Sequence, residues 1–231
     1  MIEETDFETF LYISKNKYQI IVYDKNNLKN LYNEEIKNDN EIELNILSKF
    51  LDENIYKIEK IINNFIRNII LIIKDNKVLD VGISIKKKIF EKYTDQKNLK
   101  NSLVEIKDIF RENYKDQIIM HMIIVNNNNS EKNHLLNNSN KNNDYLFLEV
   151  NFISIPNNFT SYFDKLLENH QIKITNYMSG EYIKSYFTED QTELSVIASK
   201  LNNGLNNKEV KIISKNAKNK GFFEKFFQLF S

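Results

Sequence analysis

The chain has 231 residues, 41% of them hydrophobic, and its 32 basic and 32 acidic side chains cancel. That length holds one large domain or two small ones around a real core, and a zero net charge removes the global basic field expected of a nucleic-acid binder. The absence of cysteine excludes a disulfide scaffold, a thiolate metal site and a cysteine nucleophile.

The N-terminus carries Glu3, Glu4, Asp6 and Glu8 without a compensating cation, the opposite of a signal peptide. No stretch reaches the roughly 18 to 20 apolar residues that span a bilayer, so a reducing cytoplasm is the expected compartment. "TFLYISKNKYQIIVYD" reads as a hairpin, with Phe10 to Ile13, a turn at Lys15-Asn16 and Tyr18 to Tyr23. Leu44, Leu47, Leu51, Ile55, Ile58, Ile62 and Phe65 recur at three and four, which predicts one face of a long helix. "RNIILIIKDNKVLDVGISI" follows as two strands around Lys74-Asp75-Asn76. Leu103, Ile106, Ile109 and Phe110 mark a second helix, with Thr94 and Asp95 as caps.

"DQIIMHMIIV" is a near-continuous apolar run, as expected of a buried strand. Residues 126 to 143 contain ten asparagines in eighteen and no periodicity, which predicts a flexible loop. Then come a strand over 145 to 155, a helix from Pro156-Asn157-Asn158 to about Glu168, the strand "IKITNYM", and a helix from Gly180 toward Lys200. A polar, lysine-rich linker runs from Asn202 to Lys220. The pattern predicts an α+β, or mixed α/β, fold.

Catalytic chemistry has no visible foothold. His121, His134 and His170 show no metal-type spacing, so each is expected to be structural or solvated. Ser84, Ser154 and Ser179 lack a nucleophile elbow, and neither GxxxxGK[ST] nor GxGxxG occurs. Glu34-Glu35 and Glu189-Asp190 lie among polar residues and are expected at the solvated surface. No catalytic residue, metal ligand or cofactor is assigned.

The tip "KNKGFFEKFFQLFS" has a regular pattern. On a helix, Phe222, Phe223, Phe226, Phe227, Leu229 and Phe230 share an arc of about 160°, with Glu224, Lys225 and Gln228 opposite. An aromatic face flanked by Lys218, Lys220 and Lys225 suits an interfacial membrane anchor; a terminal helix docked on its own core is the competing reading. Full burial of a Phe or Leu contributes about 1.5 to 3 kcal/mol, but interfacial insertion is partial. A single copy is therefore expected to bind reversibly, and firm attachment needs several copies together.

The order of elements, together with this tip, resembles the FtsA family, bacterial actin-like proteins that tether the cell-division ring to the membrane. "YISKNK" occupies the place of the family's D-I-G-S-S-K phosphate motif, and "KVLDVGIS" over 77 to 84 is similar to its V-x-V-x-I-S-G strand. "IIMHMIIV" over 118 to 125 is similar to the I-L-H-V-I strand of the family's SHS2 subdomain. The resemblance implies a partial actin-like fold. In that reading a first-subdomain remnant spans 1–80 and 171–203, an SHS2-type insert 81–170, a linker 204–220 and a membrane-targeting helix 221–231.

It also implies a non-enzymatic adaptor on the inner face of the cytoplasmic membrane at the division site, contacting divisome proteins or a neighbouring copy, and no nucleic acid. Tyr12 stands where the family has Asp and Ser14 where it has Gly, leaving only Lys17 of that motif. The second phosphate motif is absent after residue 190, so ATP is not expected to bind. The half of the fold that receives the FtsZ tail has no counterpart, which leaves direct FtsZ binding open. A pilus-assembly scaffold of the PilM type and a drifted actin-like ATPase are the alternatives.

Overall fold

A computed structural model of the chain describes residues 6–39, 41–88, 95–127 and 145–211. It contains two sheets with helices on them, the mixed α/β class expected from the sequence. Strands β1 (Phe7–Ser14) and β2 (Lys17–Asp24) form the anticipated hairpin. A third strand, β3 (Lys29–Lys37), continues the meander. It went unread in the sequence because "KNLYNEEIK" has no apolar alternation, and it is exposed along most of its length. Asp24 shapes the turn before it: its Oδ1 accepts the backbone N–H groups of Asn26 and Asn27, at 2.9 and 3.0 Å.

Helix α1 (Leu44–Ile62) then crosses over to β4 (Asn68–Lys74), which pairs parallel to β1. It buries the middle of the face read from its periodicity, with Leu47, Leu51 and Ile58 fully enclosed, each contributing about 1.5 to 3 kcal/mol. The two ends of that reading are corrected, since Leu44 is exposed and Phe65 lies past the helix end, 71% exposed. Its C-terminus is closed by Asn63 in the left-handed region (φ 51°).

Strands β4 and β5 (Leu79–Lys88) do not pair with each other, because the chain leaves one sheet for the other between them. Three antiparallel strands form the second sheet in the order β5-β7-β6, with β6 at Gln117–Asn127 and β7 at Tyr145–Pro156. Helix α2 (Asp95–Asn113) covers one face of it. There Phe110 stacks on Phe152 and Tyr114, with ring centroids 4.5 and 4.9 Å apart. After α3 (Asn157–Glu168), β8 (Lys173–Ser179) returns to the first sheet parallel to β4, completing the order β3-β2-β1-β4-β8.

Three further expectations are corrected. The run over β6 reads as a buried strand, yet β6 is an edge strand and Val125 is 51% exposed. The single helix from Gly180 toward Lys200 is two helices, α4 (Gly180–Lys184) and α5 (Leu194–Asn202). They are separated by a tight turn in which Thr188 and Gln191 exchange backbone hydrogen bonds. The first part of the expected linker is not free, since Val210 N–H donates to the Met122 carbonyl and Ile124 N–H to the Lys208 carbonyl, at 2.8 and 2.9 Å. The segment fastens to the open edge of β6. Residues 128–143 of the asparagine-rich loop, His134 and Thr94 lie outside the described residues, whereas Asn126 and Asn127 end β6.

Candidate functional site

The ends of β1, β4 and β8 meet where the sequence placed its degenerate phosphate motif. Ser14 turns the β1–β2 hairpin: its hydroxyl donates to the Lys17 carbonyl and accepts the Lys17 N–H, both at 3.1 Å. Lys17 points its ammonium at Glu35, 2.6 Å away. Tyr12 is buried and fills the space beside Gly180, where a Cβ would lie 3.2 Å from Tyr12 Cε2 and 3.0 Å from Lys74 Cβ. Lys74 pairs with Glu181 at 2.7 Å, and that carboxylate raises its pKa. Burial, then the neighbouring Lys74, lowers the pKa of Lys184. The motif residues are therefore brought together, but against an aromatic ring and carboxylates of their own chain.

A second cluster joins the two sheets. His121, on β6, is buried; its Nε2 accepts the backbone N–H of Ser179 at the end of β8, at 3.0 Å. A ring nitrogen that accepts carries no proton, so Nδ1 holds it and donates to Glu209 Oε1 at 2.8 Å. The other Glu209 oxygen accepts from Tyr182 OH at 3.1 Å, and Asn206 donates to the same hydroxyl at 2.9 Å. Burial raises the Tyr182 pKa far above its ordinary value. With both imidazole nitrogens engaged, His121 has the structural role expected of it. His170 sits 3.5 Å from Asp52 on α1. Among the described residues no cluster of three or more His, Asp or Glu side chains is arranged to hold a metal ion.

Below this cluster lies a groove of about 580 Å³, open to solvent, between the edge strands of the two sheets. Its walls are β6 (Gln117, Ile119, Met120, Met122), Asn176 of β8, and the fastened segment at Val210 and Lys211. Lys107 and Arg111, one turn apart on α2, and the carboxylate of Glu209, held by His121 and Tyr182, complete it. Burial, then Arg111, lowers the Lys107 pKa. Gln117 Oε1 is cut off from solvent and has no hydrogen-bond partner among the described residues. Residues 208–210 take the β6 edge at Met122–Ile124, whereas the edge from Gln117 to His121 has no strand partner among the described residues. The groove thus offers an open backbone edge, an apolar floor and an excess of positive charge. Sequence reasoning missed it because its parts come from four separate stretches of chain.

The membrane-binding candidates Phe222, Phe223, Phe226, Phe227, Leu229, Phe230, Lys218, Lys220 and Lys225 lie outside the described residues. Among those described, no helix is long and apolar enough to cross a membrane.

No known protein family matches the sequence, and no curated protein does. Solved structures do. The chain is similar to the PilM–PilN type IV pilus biogenesis complex, at 7% identity over 79% of this chain and 50% of that one, with a TM-score of 0.49. It is similar to the cytoplasmic domain of EpsL, an inner-membrane component of the type II secretion system of Vibrio cholerae. That match has 8% identity over 75% and 57% of the two chains and a TM-score of 0.39. A third is a Bacteroides thetaiotaomicron protein of unknown function with an actin-like ATPase fold, at 13% identity, 80% and 58% coverage, and a TM-score of 0.30. The chain spans about half the length of the solved structures it matches.

Proposed function

We propose that this chain is a non-catalytic, membrane-associated scaffold of actin-like descent, which holds an extended acidic segment of a partner protein in the groove between its two sheets. The observation that carries this reading is the juxtaposition of Lys107 and Arg111 with the stretch of the β6 edge that has no strand partner among the described residues. An open strand edge recognises a peptide backbone, and side pockets select its residues. Two cations side by side, one with its ammonium partly desolvated, select carboxylates. Gln117 Oε1 adds an acceptor in want of a donor.

The setting is part of the proposal. PilM–PilN and EpsL make assembly of a pilus or secretion apparatus the first setting to test, and attachment to the division machinery the second; no likeness found points to FtsA in particular. The tip, by its sequence, supplies the membrane contact.

The groove is tested by fluorescence anisotropy with a labelled peptide of about eight residues alternating valine with glutamate. Wild type is expected to bind it, more weakly at high salt because exposed charges are screened. Lys107→Glu/Arg111→Glu should lose that binding, and a valine–lysine peptide should not bind wild type. Equal binding of both peptides, or an unaffected variant, would remove the charge argument.

Tyr12 packed at the sheet ends supports the absence of nucleotide chemistry. Millimolar ATP with magnesium is expected to leave the melting temperature unchanged, whereas a ligand at a hundred times its Kd adds about 2.7 kcal/mol. A shift of several degrees would restore the ATPase reading.

A further inference from the structure

The outer edge of β5 is a second open edge, and its sequence matches itself. β5 is ten residues long and keeps regular register with β7, without a bulge. No other described strand pairs with its outer side. Natural sheets rarely leave so long a regular edge uncovered. On one face Val81, Ile83 and Ile85 stand opposite Phe152, Val150 and Leu148 and belong to the core beneath α2, yet each remains only half-buried. On the other face lie Asp80, Gly82, Ser84 and Lys86, all exposed.

We propose that β5 pairs antiparallel with β5 of a second copy across a two-fold axis at Ile83, joining the two small sheets into one of six strands. Side chains directly opposite in an antiparallel pair share a face, so only registers that match like parity keep apolar against apolar. With Ile83 facing its own symmetry mate, Val81 meets Ile85 and the apolar row becomes continuous. Asp80 then faces Lys86 twice, and the small Gly82 and Ser84 face each other. Sliding by one step toward Lys88 places Val81 against Lys87 and breaks the row. Sliding one step the other way keeps the row apolar but sets Asp80 against Ser84, so the opposite charges of Asp80 and Lys86 select the axis at Ile83. Parallel pairing in register stacks Lys86, Lys87 and Lys88 on their own copies, where like charges repel. A two-fold pair also presents two tips to one bilayer, and the avidity that follows offsets the weakness of a single partial insertion. The pairing uses neither the groove nor its occupant, so it stands or falls apart from the partner reading.

Analytical ultracentrifugation of the full chain tests it. Wild type is expected to show a reversible monomer–dimer equilibrium. Asp80→Lys sets lysine against lysine in both symmetry-related pairs, and Lys86→Asp sets aspartate against aspartate. Each alone should weaken the dimer at least about tenfold. Mixing the two variants should restore it as a heterodimer, because each then supplies the charge that the other lacks. Both positions are exposed, and circular dichroism checks that each variant is folded. A monomeric wild type, single variants that dimerise like wild type, or a mixture that stays monomeric would each overturn the proposal.

Discussion

Glu209→Leu is expected to cost about 3–5 kcal/mol of stability, because two buried donors are left without an acceptor. The Glu209 carboxylate is 7% exposed and accepts from both His121 Nδ1 and Tyr182 OH. Its loss strands two buried donors, each costing about 1–3 kcal/mol when unsatisfied. At about 2–4 °C per kcal/mol for a chain of this size, the melting temperature should fall by roughly 6–20 °C. Glu209→Gln keeps one oxygen acceptor and should cost less than half as much. His121→Leu and Glu209→Leu combined should cost less than the sum of the two, since they empty one network. A loss under about 1 kcal/mol for Glu209→Leu would show that water replaces the carboxylate and that the segment is not fastened there.

Truncation after Lys215 has the second large effect, on membrane binding rather than on folding. The last described contacts of the chain are those of Lys211, whose ammonium donates to the carbonyls of Leu201 and Asn202 at the end of α5. Every described contact that fastens the segment therefore survives the cut. The six apolar residues of the tip's aromatic arc do not. Co-sedimentation with anionic vesicles should be lost, with the melting temperature unchanged. Phe226→Glu/Phe227→Glu in the full chain should reproduce the loss, and high salt should weaken wild-type binding because the lysine contribution is screened. A truncated protein that melts lower yet still sediments would assign the helix to the core instead.

Much of this architecture was legible in the sequence because it follows from period alone. The face of α1 and the β1–β2 hairpin rest on neighbours within a few residues of one another, so local pattern suffices for them. The failures share a different cause. Glu209 lies among asparagines and lysines, where a carboxylate ordinarily reads as solvated. Only the partners 88 and 27 residues away, His121 and Tyr182, make it a buried acceptor. β6 reads as a buried strand because Ile118 to Val125 are apolar apart from His121. Its outer edge is covered in part by the distant segment 208–210, which no local pattern announces. The break between α4 and α5 was nearer to hand: Thr188, Glu189, Asp190 and Gln191 interrupt the apolar spacing, and the turn they make lies between the two helices. Tyr12, Ser14 and Lys17 lie together at the β1–β2 turn by their place in the sequence. That Tyr12 packs inward beside Gly180 is a matter of tertiary space that spacing cannot supply.

The central claim is that the free stretch of the β6 edge receives a partner strand. Residue-resolved hydrogen exchange on the full chain, with and without the saturating valine–glutamate peptide, addresses it most directly. A strand added there pairs with backbone groups that have no strand partner among the described residues. Those amides of Ile118 to Met120 that do not bond to β7 should therefore gain protection, while those of residues 206–211, already fastened, should not change. Protection confined to another surface, or bound peptide with no slowed amide on β6, would contradict the account.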